Sequence, residues 1–140
     1  PRRSVDFVTQ KIAQGVASIK SGQKKLLKLA NLDSKKDWGY APDYVDAMWR
    51  MAQLKDPEDF VLATGKLHSI EDFAKEAFSL IGITNWSSYI EIDNRLASKT
   101  GVSLVGDPQK AYSKLDWEHS LNFKQLVKKM VESSISRHFY

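Results

Sequence analysis

The 140-residue sequence contains no cysteine, which excludes both a disulfide framework and a cysteine-based metal site. A chain without cysteine fits a reducing compartment, so we expect a cytoplasmic protein. The sequence also lacks any apolar run near the roughly 20 residues that a membrane-spanning helix needs. Its first residues, Pro1-Arg2-Arg3, are polar and basic and do not resemble a signal peptide. We therefore expect a soluble protein with no membrane partner.

Sequence patterns that carry catalysis or metal binding are missing as well. The three histidines, His68, His119 and His138, have no metal-ligand spacing such as i, i+4 on a helix, so we expect no metal site. There is no G-x-G-x-x-G pattern, no P-loop and no recognisable pairing of a nucleophile with a base. These absences predict that the chain performs no chemistry by itself, and they leave open whether it is part of an enzyme.

The charge balance is mildly basic. Lysine and arginine number 21 against 17 acidic residues, giving a net charge of +4 and a pI near 9.2. An anionic partner is therefore plausible, and nucleic acid, a nucleotide or phosphate would each fit. The basic pairs Lys24-Lys25, Lys35-Lys36 and Lys128-Lys129 are dispersed, which is typical of solvated helix faces and turns. We do not expect nucleic acid to be the partner.

Length and hydrophobic periodicity predict the fold class. A chain of 140 residues with 42% hydrophobic content suits one domain, 1–140. We predict an α/β (α+β-like) fold that is small and mainly helical, with about five helices and several short strands. The predicted helices are residues 5–20, 41–54, 69–80, 107–115 and a last helix from 122, and the predicted strands are residues 25–29, 60–64 and 88–93.

The stretch LDSKKDWGYAPDYVDAMWRM, residues 32–51, is the most distinctive part of the chain. Residues 37–40 predict a rigid loop in which Gly39 can adopt positive φ, and Pro42 is placed near the first position of a helix. Apolar residues then recur at helical spacing over three turns. This pattern predicts a buried helix that presents the loop at its N-terminus.

The same stretch resembles the Asp-Trp-Gly-x-Ala-x-Asp-Tyr-Val-x-Ala-Met-Trp segment of the GDP-mannose 4,6-dehydratases, which are extended short-chain dehydrogenases. The segments FVLATG and LVGDPQKA are also similar to that family. The resemblance covers nearly all 140 residues, but only the C-terminal, substrate-binding part of such an enzyme. It implies the sugar-nucleotide-binding domain of the family without its Rossmann half.

The opening PRRSVDFVTQKI is similar to the family's Pro-Arg-Arg-Gly-x-x-Phe-Val-Thr-Arg-Lys-Ile, departing from it at Ser4 and Gln10. The resemblance implies that Arg2 and Arg3 belong to a loop touching the NADP phosphate and that Lys11 faces the GDP diphosphate. Considered as residues alone, an arginine pair at a chain end is usually solvated. A lysine on the flank of an apolar helix face often extends to water.

Two further cations are implied for the GDP-sugar. Lys36 stands where the family has a phosphate-clamping arginine, which keeps the charge but loses the bidentate fork. Arg95 matches the first arginine of the family's Arg-Tyr-Phe-Arg-Pro segment, and Ala97 is nearest to the second. The substrate-binding residues implied by the resemblance are thus Lys11, Lys36 and Arg95.

In the family, NADP and a Tyr-x-x-x-Lys pair carry the reaction, and both belong to the absent half. We therefore expect a fragment or stand-alone remnant of a GDP-mannose 4,6-dehydratase that binds or once bound a GDP-sugar and is not catalytic alone. No cofactor is expected on this chain by itself, and its partners would be the missing Rossmann half or another chain, within a homo-oligomer. The alternative is a non-catalytic interaction or oligomerisation module with a repurposed cleft.

Overall fold

The computed structural model describes residues 1–93, 95 and 103–138, with the side chain of residue 138 excepted. The described residues contain five α-helices, a 3-10 helix at Trp86–Tyr89 and a few very short strands. This confirms the predicted mainly helical α+β fold. The helices are α1 (Val8–Lys20), α2 (Ala41–Ala52), α3 (Ile70–Ser79), α4 (Gln109–Leu115) and α5 (Phe123–His138), and the strands are β1 (Leu27–Leu29), β2 (Lys35–Lys36), β3 (His68–Ser69) and β4 (Ile90–Ile92).

The chain divides into two compact units, each built from separated segments. Unit 1 comprises the described residues of Pro1–Lys35, Ser69–Val102 and Val127–Tyr140, and unit 2 comprises those of Lys36–His68 and Ser103–Leu126. The chain changes unit within β2, within β3 and within α5. That residues 1–140 form one domain stays a prediction.

Unit 1 is a helix pair beside a two-stranded sheet. Helix α1 packs against α3, and β1 pairs with β4 in parallel, with Leu27 opposite Ile90 and Leu29 opposite Ile92. The buried apolar face of α1 is made of small or β-branched side chains, and that of α3 combines two alanines with two phenylalanines. The buried apolar residues of these elements are Ile12, Ala13, Val16, Ala17, Leu27, Leu29, Phe73, Ala74, Ala77 and Phe78.

Helix α3 begins at a capping box, as the sequence Ser69-x-x-Asp72 allows. The Ser69 hydroxyl accepts from the Asp72 N–H at 2.9 Å, and the Asp72 carboxylate accepts from the Ser69 N–H at 2.8 Å. Two N–H groups at the helix start, which have no partner within the helix, are thereby satisfied. The predicted Ser69 N-cap is confirmed, and α3 ends at Ser79, one residue before the predicted end.

Unit 2 has a small apolar core between α2 and α4, made of Ala47, Ala111, Leu115 and Trp117. The Trp117 indole N–H donates to the Asp43 carbonyl at 2.7 Å. The buried Asp43 carboxylate accepts from the Ser120 N–H at 3.0 Å and from the Ser120 hydroxyl at 2.6 Å. Asp43, in the first turn of α2, therefore fixes the chain that follows α4.

Helix α2 is less buried than predicted. Only Asp43 and Ala47 are buried, whereas Val45, Met48 and Trp49 are exposed. The apolar periodicity located the helix correctly, but the same pattern could not show that this part of the chain covers only one side of it.

The predicted strand at residues 60–64 is wrong: this segment is extended but forms no ladder with any described strand. Its Phe60 and Leu62 side chains pack against the unit 2 core. On its other side Gly106 lies so close that a Cβ there would be 2.5 Å from the Ala63 Cβ and 3.0 Å from the Val61 Cγ1. The segment thus keeps the side-chain alternation of a strand without the backbone pairing.

Three smaller expectations also differ. Residues 86–89 form the 3-10 helix, so the predicted strand 88–93 is shortened to β4. Gly39 does not adopt positive φ. It is required because a Cβ there would collide with the Tyr44 hydroxyl. Pro108, and not Asp107, is the residue before α4, although the Asp107 carboxylate still accepts from the Gln109 N–H at 3.0 Å.

We predict that Ser69→Ala lowers the free energy of unfolding by about 1 kcal/mol, because it leaves the Asp72 N–H without its cap. Urea denaturation followed by circular dichroism measures this change. The matched control is Ser79→Ala, an exposed serine at the other end of α3, which should stay within about 0.5 kcal/mol of the original chain. Equal losses in both variants would contradict the capping role.

Candidate functional site

The C-terminal end of β4 holds an arginine in a fixed orientation. The Asp93 N–H donates to the Leu29 carbonyl at 2.8 Å, which prolongs the pairing of β4 with β1 by one bond. The Asp93 carboxylate then accepts from Arg95 at two positions, Nε to Oδ1 at 2.9 Å and Nη2 to Oδ2 at 2.8 Å. The Arg95 side chain is 85% exposed and that of Asp93 only 12%. The carboxylate therefore acts as a fixed support for an exposed guanidinium.

Several cations surround Asp93. The hydrogen bond from Arg95 is the main reason that the pKa of Asp93 lies below its ordinary value, and the charges of Lys28 and Lys11 lower this pKa further. Lys28 itself pairs with Glu91 at 3.0 Å. The Lys11 ammonium has no ion pair within the described residues, and its side chain is half-buried on α1. Lys11 and Arg95, both predicted as substrate-binding residues, thus act on one carboxylate in unit 1.

An arginine that is paired with a carboxylate in this way can still bind an anion. A guanidinium has five N–H donors, and Asp93 engages one on Nε and one on Nη2, so three remain for an anion. A phosphate group suits this fork, and a nearby lysine adds a mobile point charge. Chemically, the cluster can bind a phosphate or diphosphate.

Gln10, where the resembling family has arginine, is fully buried beside Lys11. Its Nε2 donates to the Ser134 hydroxyl at 3.5 Å, and its Oε1 has no hydrogen-bond partner among the described residues. A neutral amide enclosed in the core of unit 1 provides no charge to a surface ligand. Gln10 therefore does not supply the positive charge that the arginine supplies at this position of the resembling family.

Lys36 belongs to unit 2, where it is exposed and has no ion pair within the described part of the chain. The loop that follows it is held firmly. The Asp37 carboxylate accepts from the Thr64 N–H and hydroxyl and, at 2.9 Å, from the Gly65 N–H. The Trp38 ring stacks on Phe123 with 6.2 Å between ring centroids. These contacts tie the loop to two other segments of unit 2, and Lys36 stands at its start.

Arg2 and Arg3 are exposed at the beginning of unit 1. The Arg3 guanidinium carbon lies 3.9 Å from the centroid of the Phe7 ring, which is a cation–π contact. The Pro1 carbonyl accepts from Arg137 Nη2 at 2.5 Å, so this end of the chain is tied to α5. Both features fit an arginine pair that can contact a phosphate.

The structure thus pairs Arg95 with Asp93 and places Lys11, Arg2 and Arg3 in the same unit, while Lys36 belongs to the other. Ala97 lies outside the described residues. The roles of all five cations in binding remain predictions. Sequence reasoning missed Asp93 as the residue that orients Arg95. The available signal was an aspartate two positions before an arginine at a strand end.

Unit 2 also contains an open cleft of about 530 Å³. One wall is an aromatic pair in which the Tyr112 hydroxyl and His119 Nδ1 are 3.1 Å apart, and partial burial raises the pKa of Tyr112. None of the predicted cations lines it. Its lining residues are Thr64, Gly65, Lys66, Val105, Gly106, Asp107, Pro108, Gln109, Tyr112, Glu118 and His119.

Two absences among the described residues bear on the class of site. They contain no group of three or more His, Asp and Glu side chains that could hold a metal ion. Nor does any helix among them have the length and apolar character required to cross a bilayer.

Comparison with known proteins gives one consistent family. The family described as GDP-mannose 4,6 dehydratase matches residues 1–130. GDP-mannose 4,6 dehydratase 2 of Arabidopsis thaliana is 43% identical over 136 residues, covering 96% of this chain and 36% of that protein. The GDP-mannose 4,6 dehydratase of Homo sapiens is 41% identical over 152 residues, covering 96% of this chain and 41% of that protein. The chain therefore spans about two fifths of the length of these curated relatives.

Solved structures share the fold. RMD from Pseudomonas aeruginosa, complexed with NADPH, superposes with a TM-score of 0.85 at 18% identity, over 98% of this chain and 45% of that one. UDP-glucose 4-epimerase from Bifidobacterium longum, in complex with NAD+ and UDP, gives a TM-score of 0.68 at 16% identity, over 91% of this chain and 39% of that one. At these identities the likeness concerns the fold alone.

We predict that acid weakens this structure partly through two carboxylates. The pKa of Asp93 is lowered by Arg95 and that of Glu58 by Lys114 and Lys110. A lowered pKa contributes stability at pH values above the unfolded pKa, about 4 for these groups, and that contribution is lost as the pH falls through the folded value. The free energy of unfolding should therefore decline on acidification below about pH 4.5.

Urea denaturation at a series of pH values measures this decline. The double variant Asp93→Asn with Glu58→Gln should lose stability less steeply in acid than the original chain. Asp56→Asn, at an exposed carboxylate without an ion pair in the described residues, should leave the slope as it was. An unchanged slope in the double variant would show that neither ion pair stabilises the fold.

Proposed function

The chain belongs to the GDP-mannose 4,6 dehydratase family, and we propose from this membership that it forms the substrate-side part of such an enzyme and binds a GDP-sugar. The proposed binding residues are Lys11, Lys36 and Arg95. The observation that carries the proposal is the pairing of the exposed Arg95 guanidinium with the Asp93 carboxylate, whose pKa the charge of Lys11, in the same unit, also lowers. This arrangement offers two cations to one diphosphate.

The electrostatics of the pair suit a diphosphate. Arg95 is orientated before the ligand arrives, so binding costs less side-chain entropy than it would for a mobile arginine. Lys11 supplies a second charge from the rigid scaffold of α1. The resemblance to the family assigns a further phosphate contact to Lys36, which is exposed and without an ion pair in the described residues. The loop geometry at Asp37 keeps the Lys36 backbone in place.

We propose that the chain by itself does not catalyse the reaction and binds no cofactor. None of its five tyrosines has a lysine four positions later, and it has no glycine-rich dinucleotide motif. In a complete enzyme, NADP would supply hydride transfer. Arg2 and Arg3, whose guanidinium groups are exposed, would contact its phosphate there. The cytoplasmic location and the homo-oligomer remain predictions.

A second function, a non-catalytic interaction or oligomerisation module, is favoured by one observation. Val45, Met48 and Trp49 expose apolar surface along α2. Such a surface on an isolated protein marks a place where another surface packs. Sedimentation of the chain over a range of concentrations separates the two functions when combined with ligand titration: an oligomer that shows no heat with GDP or GDP-mannose would favour the module.

We predict that Lys11→Ala weakens GDP binding by about 1 to 3 kcal/mol, which is roughly 5- to 150-fold in Kd, because a charged hydrogen bond to phosphate is lost. Isothermal titration calorimetry with GDP and GDP-mannose, each with and without NADP, measures the effect. Lys20→Ala, an exposed lysine at the other end of α1, is the matched control and should bind as the original chain does. Equal affinities for the two variants would remove Lys11 from the site, and flat heats for both ligands with the original chain would refute GDP-sugar binding.

We also predict that Lys36→Arg strengthens binding of GDP by about 1 kcal/mol, because a guanidinium can donate two parallel hydrogen bonds to one phosphate where an ammonium donates as a point charge. The same titration detects this change as a lower Kd. Lys35→Arg, at the neighbouring exposed lysine, is the control and should have no effect. A Kd that is equal or higher in Lys36→Arg would place Lys36 away from the phosphate.

A further inference from the structure

The loop after β2 is held at consecutive residues by different kinds of contact. Lys36 and His68, both in unit 2, belong to β2 and β3, and these two strands pair with each other. The Asp37 carboxylate accepts from the N–H groups of Thr64 and Gly65. A backbone that is tied at successive residues has few alternative conformations. The direction in which the exposed Lys36 side chain leaves the backbone is therefore restricted.

The next residue, Trp38, takes part in an aromatic contact. Its ring stacks on the Phe123 ring, with 6.2 Å between the centroids and 18° between the planes. The His68 ring also lies on the Phe123 ring, with 3.7 Å between the centroids and 6° between the planes. We name Trp38, Phe123 and His68 the ring stack. Phe123 is the ring that the other two share.

The ring stack connects three segments of unit 2 that are far apart in the sequence. Trp38 belongs to the loop after β2, His68 to β3, and Phe123 is the first residue of α5. All three rings are half-buried. Because His68 lies in the strand that pairs with the strand of Lys36, the contacts run from Lys36 through β3 and Phe123 back to Trp38. The loop is thus held by a closed set of contacts.

The end of the loop is held by α2. Gly39, which follows Trp38, lies so close to the Tyr44 hydroxyl that a Cβ at position 39 would collide with it. Partial burial raises the pKa of Tyr44, and the negative charge of Asp37 raises this pKa further. The hydroxyl therefore stays neutral beside the loop and keeps its place against Gly39.

We propose that the ring stack positions Lys36 for a phosphate of the GDP-sugar, with Phe123 as the central positioning residue. The inference rests on the proposed function, which assigns Lys36 to the ligand. The three rings do not touch the ligand and act through the backbone of residues 36–38. An ammonium group on a long side chain loses less entropy on binding when its backbone is already ordered. Rings that only filled space in unit 2 would affect stability and have no specific effect through Lys36.

The experiment compares variants of the ring stack with a matched control. Phe123→Leu removes the shared ring and keeps an apolar side chain that suits a helix, and His68→Leu removes a second ring. Phe123→Tyr keeps the ring and is the conservative variant. Phe60→Leu is the control, because it makes the same change at another half-buried ring of unit 2, whose centroid lies 4.7 Å from Lys110 Nζ. Circular dichroism melting establishes that each variant folds.

The first measurement is the backbone amide order parameter of residues 36–38 in the unliganded chain, obtained by NMR relaxation. We expect about 0.85 for the original chain, Phe123→Tyr and Phe60→Leu, and a decrease toward roughly 0.6 for Phe123→Leu and His68→Leu. Unchanged order parameters in both of the last two variants would overturn the proposal. This measurement requires no ligand.

The second measurement is a calorimetric titration with GDP. Phe123→Leu should raise the Kd by roughly 2- to 12-fold, because the ordering that the ring stack supplies is worth no more than its aromatic contacts. Phe60→Leu and Phe123→Tyr should leave the Kd unchanged. In a chain that already carries Lys36→Ala, Phe123→Leu should have no further effect. A loss of equal size in that chain would overturn the proposal, because Phe123 would then not act through Lys36.

The two measurements also separate this inference from the proposed function. GDP binding that Phe123→Leu does not weaken would overturn the inference and leave the proposed function standing. Flat heats for GDP with the original chain would refute the proposed function, and the positioning of Lys36 for a phosphate would be refuted with it.

Discussion

The hydrogen bond from the Asp93 N–H to the Leu29 carbonyl determines the geometry of the proposed binding cluster. It extends the three-residue pairing of β1 with β4 beyond Ile92 and so fixes the direction in which the Asp93 carboxylate leaves the sheet. Arg95 depends on that carboxylate for its orientation. A cation that would otherwise sample many rotamers is thereby presented from one position, although it is almost fully exposed.

In three places, an aspartate carboxylate holds another segment or side chain by hydrogen bonds. Asp43 joins the first turn of α2 to Ser120, and Asp37 joins the loop before α2 to Thr64 and Gly65. Asp93 does so for Arg95. In each case one aspartate accepts two or three hydrogen bonds, which limits the freedom of a segment that has little apolar surface of its own.

The sequence predicted what local chemistry decides. The Ser69-x-x-Asp72 capping box and the helix beginning beside Pro42 each depend on a few neighbouring residues, and each is found in the structure. The resemblance to a family, carried by the irregular run at residues 32–51, also proved correct. Of the predicted site, the structure shows Arg95 paired with Asp93, and the binding roles of Lys11, Lys36 and Arg95 stay predictions.

What the sequence could not predict depends on distant segments. Apolar periodicity shows which residues of a helix are hydrophobic, but not whether other parts of the chain pack against them. For this reason α2 was expected to be buried, although one of its apolar sides is exposed. An alternating pattern at residues 60–64 cannot guarantee a strand, because a ladder needs a partner elsewhere. Gly39 was assigned to backbone freedom, whereas its real constraint is the Tyr44 ring, which comes from the following helix.

The close approach of Gly106 to residues 61–63 links the size of two positions far apart in the sequence. Because a Cβ at position 106 would lie only 2.5 Å from the Ala63 Cβ and 3.0 Å from the Val61 Cγ1, a side chain there forces these neighbours to move. Substitutions at 63 and 106 should therefore be non-additive, with a smaller residue at 63 reducing the cost of a side chain at 106. Among diverging members of the family, these two positions would be expected to change together.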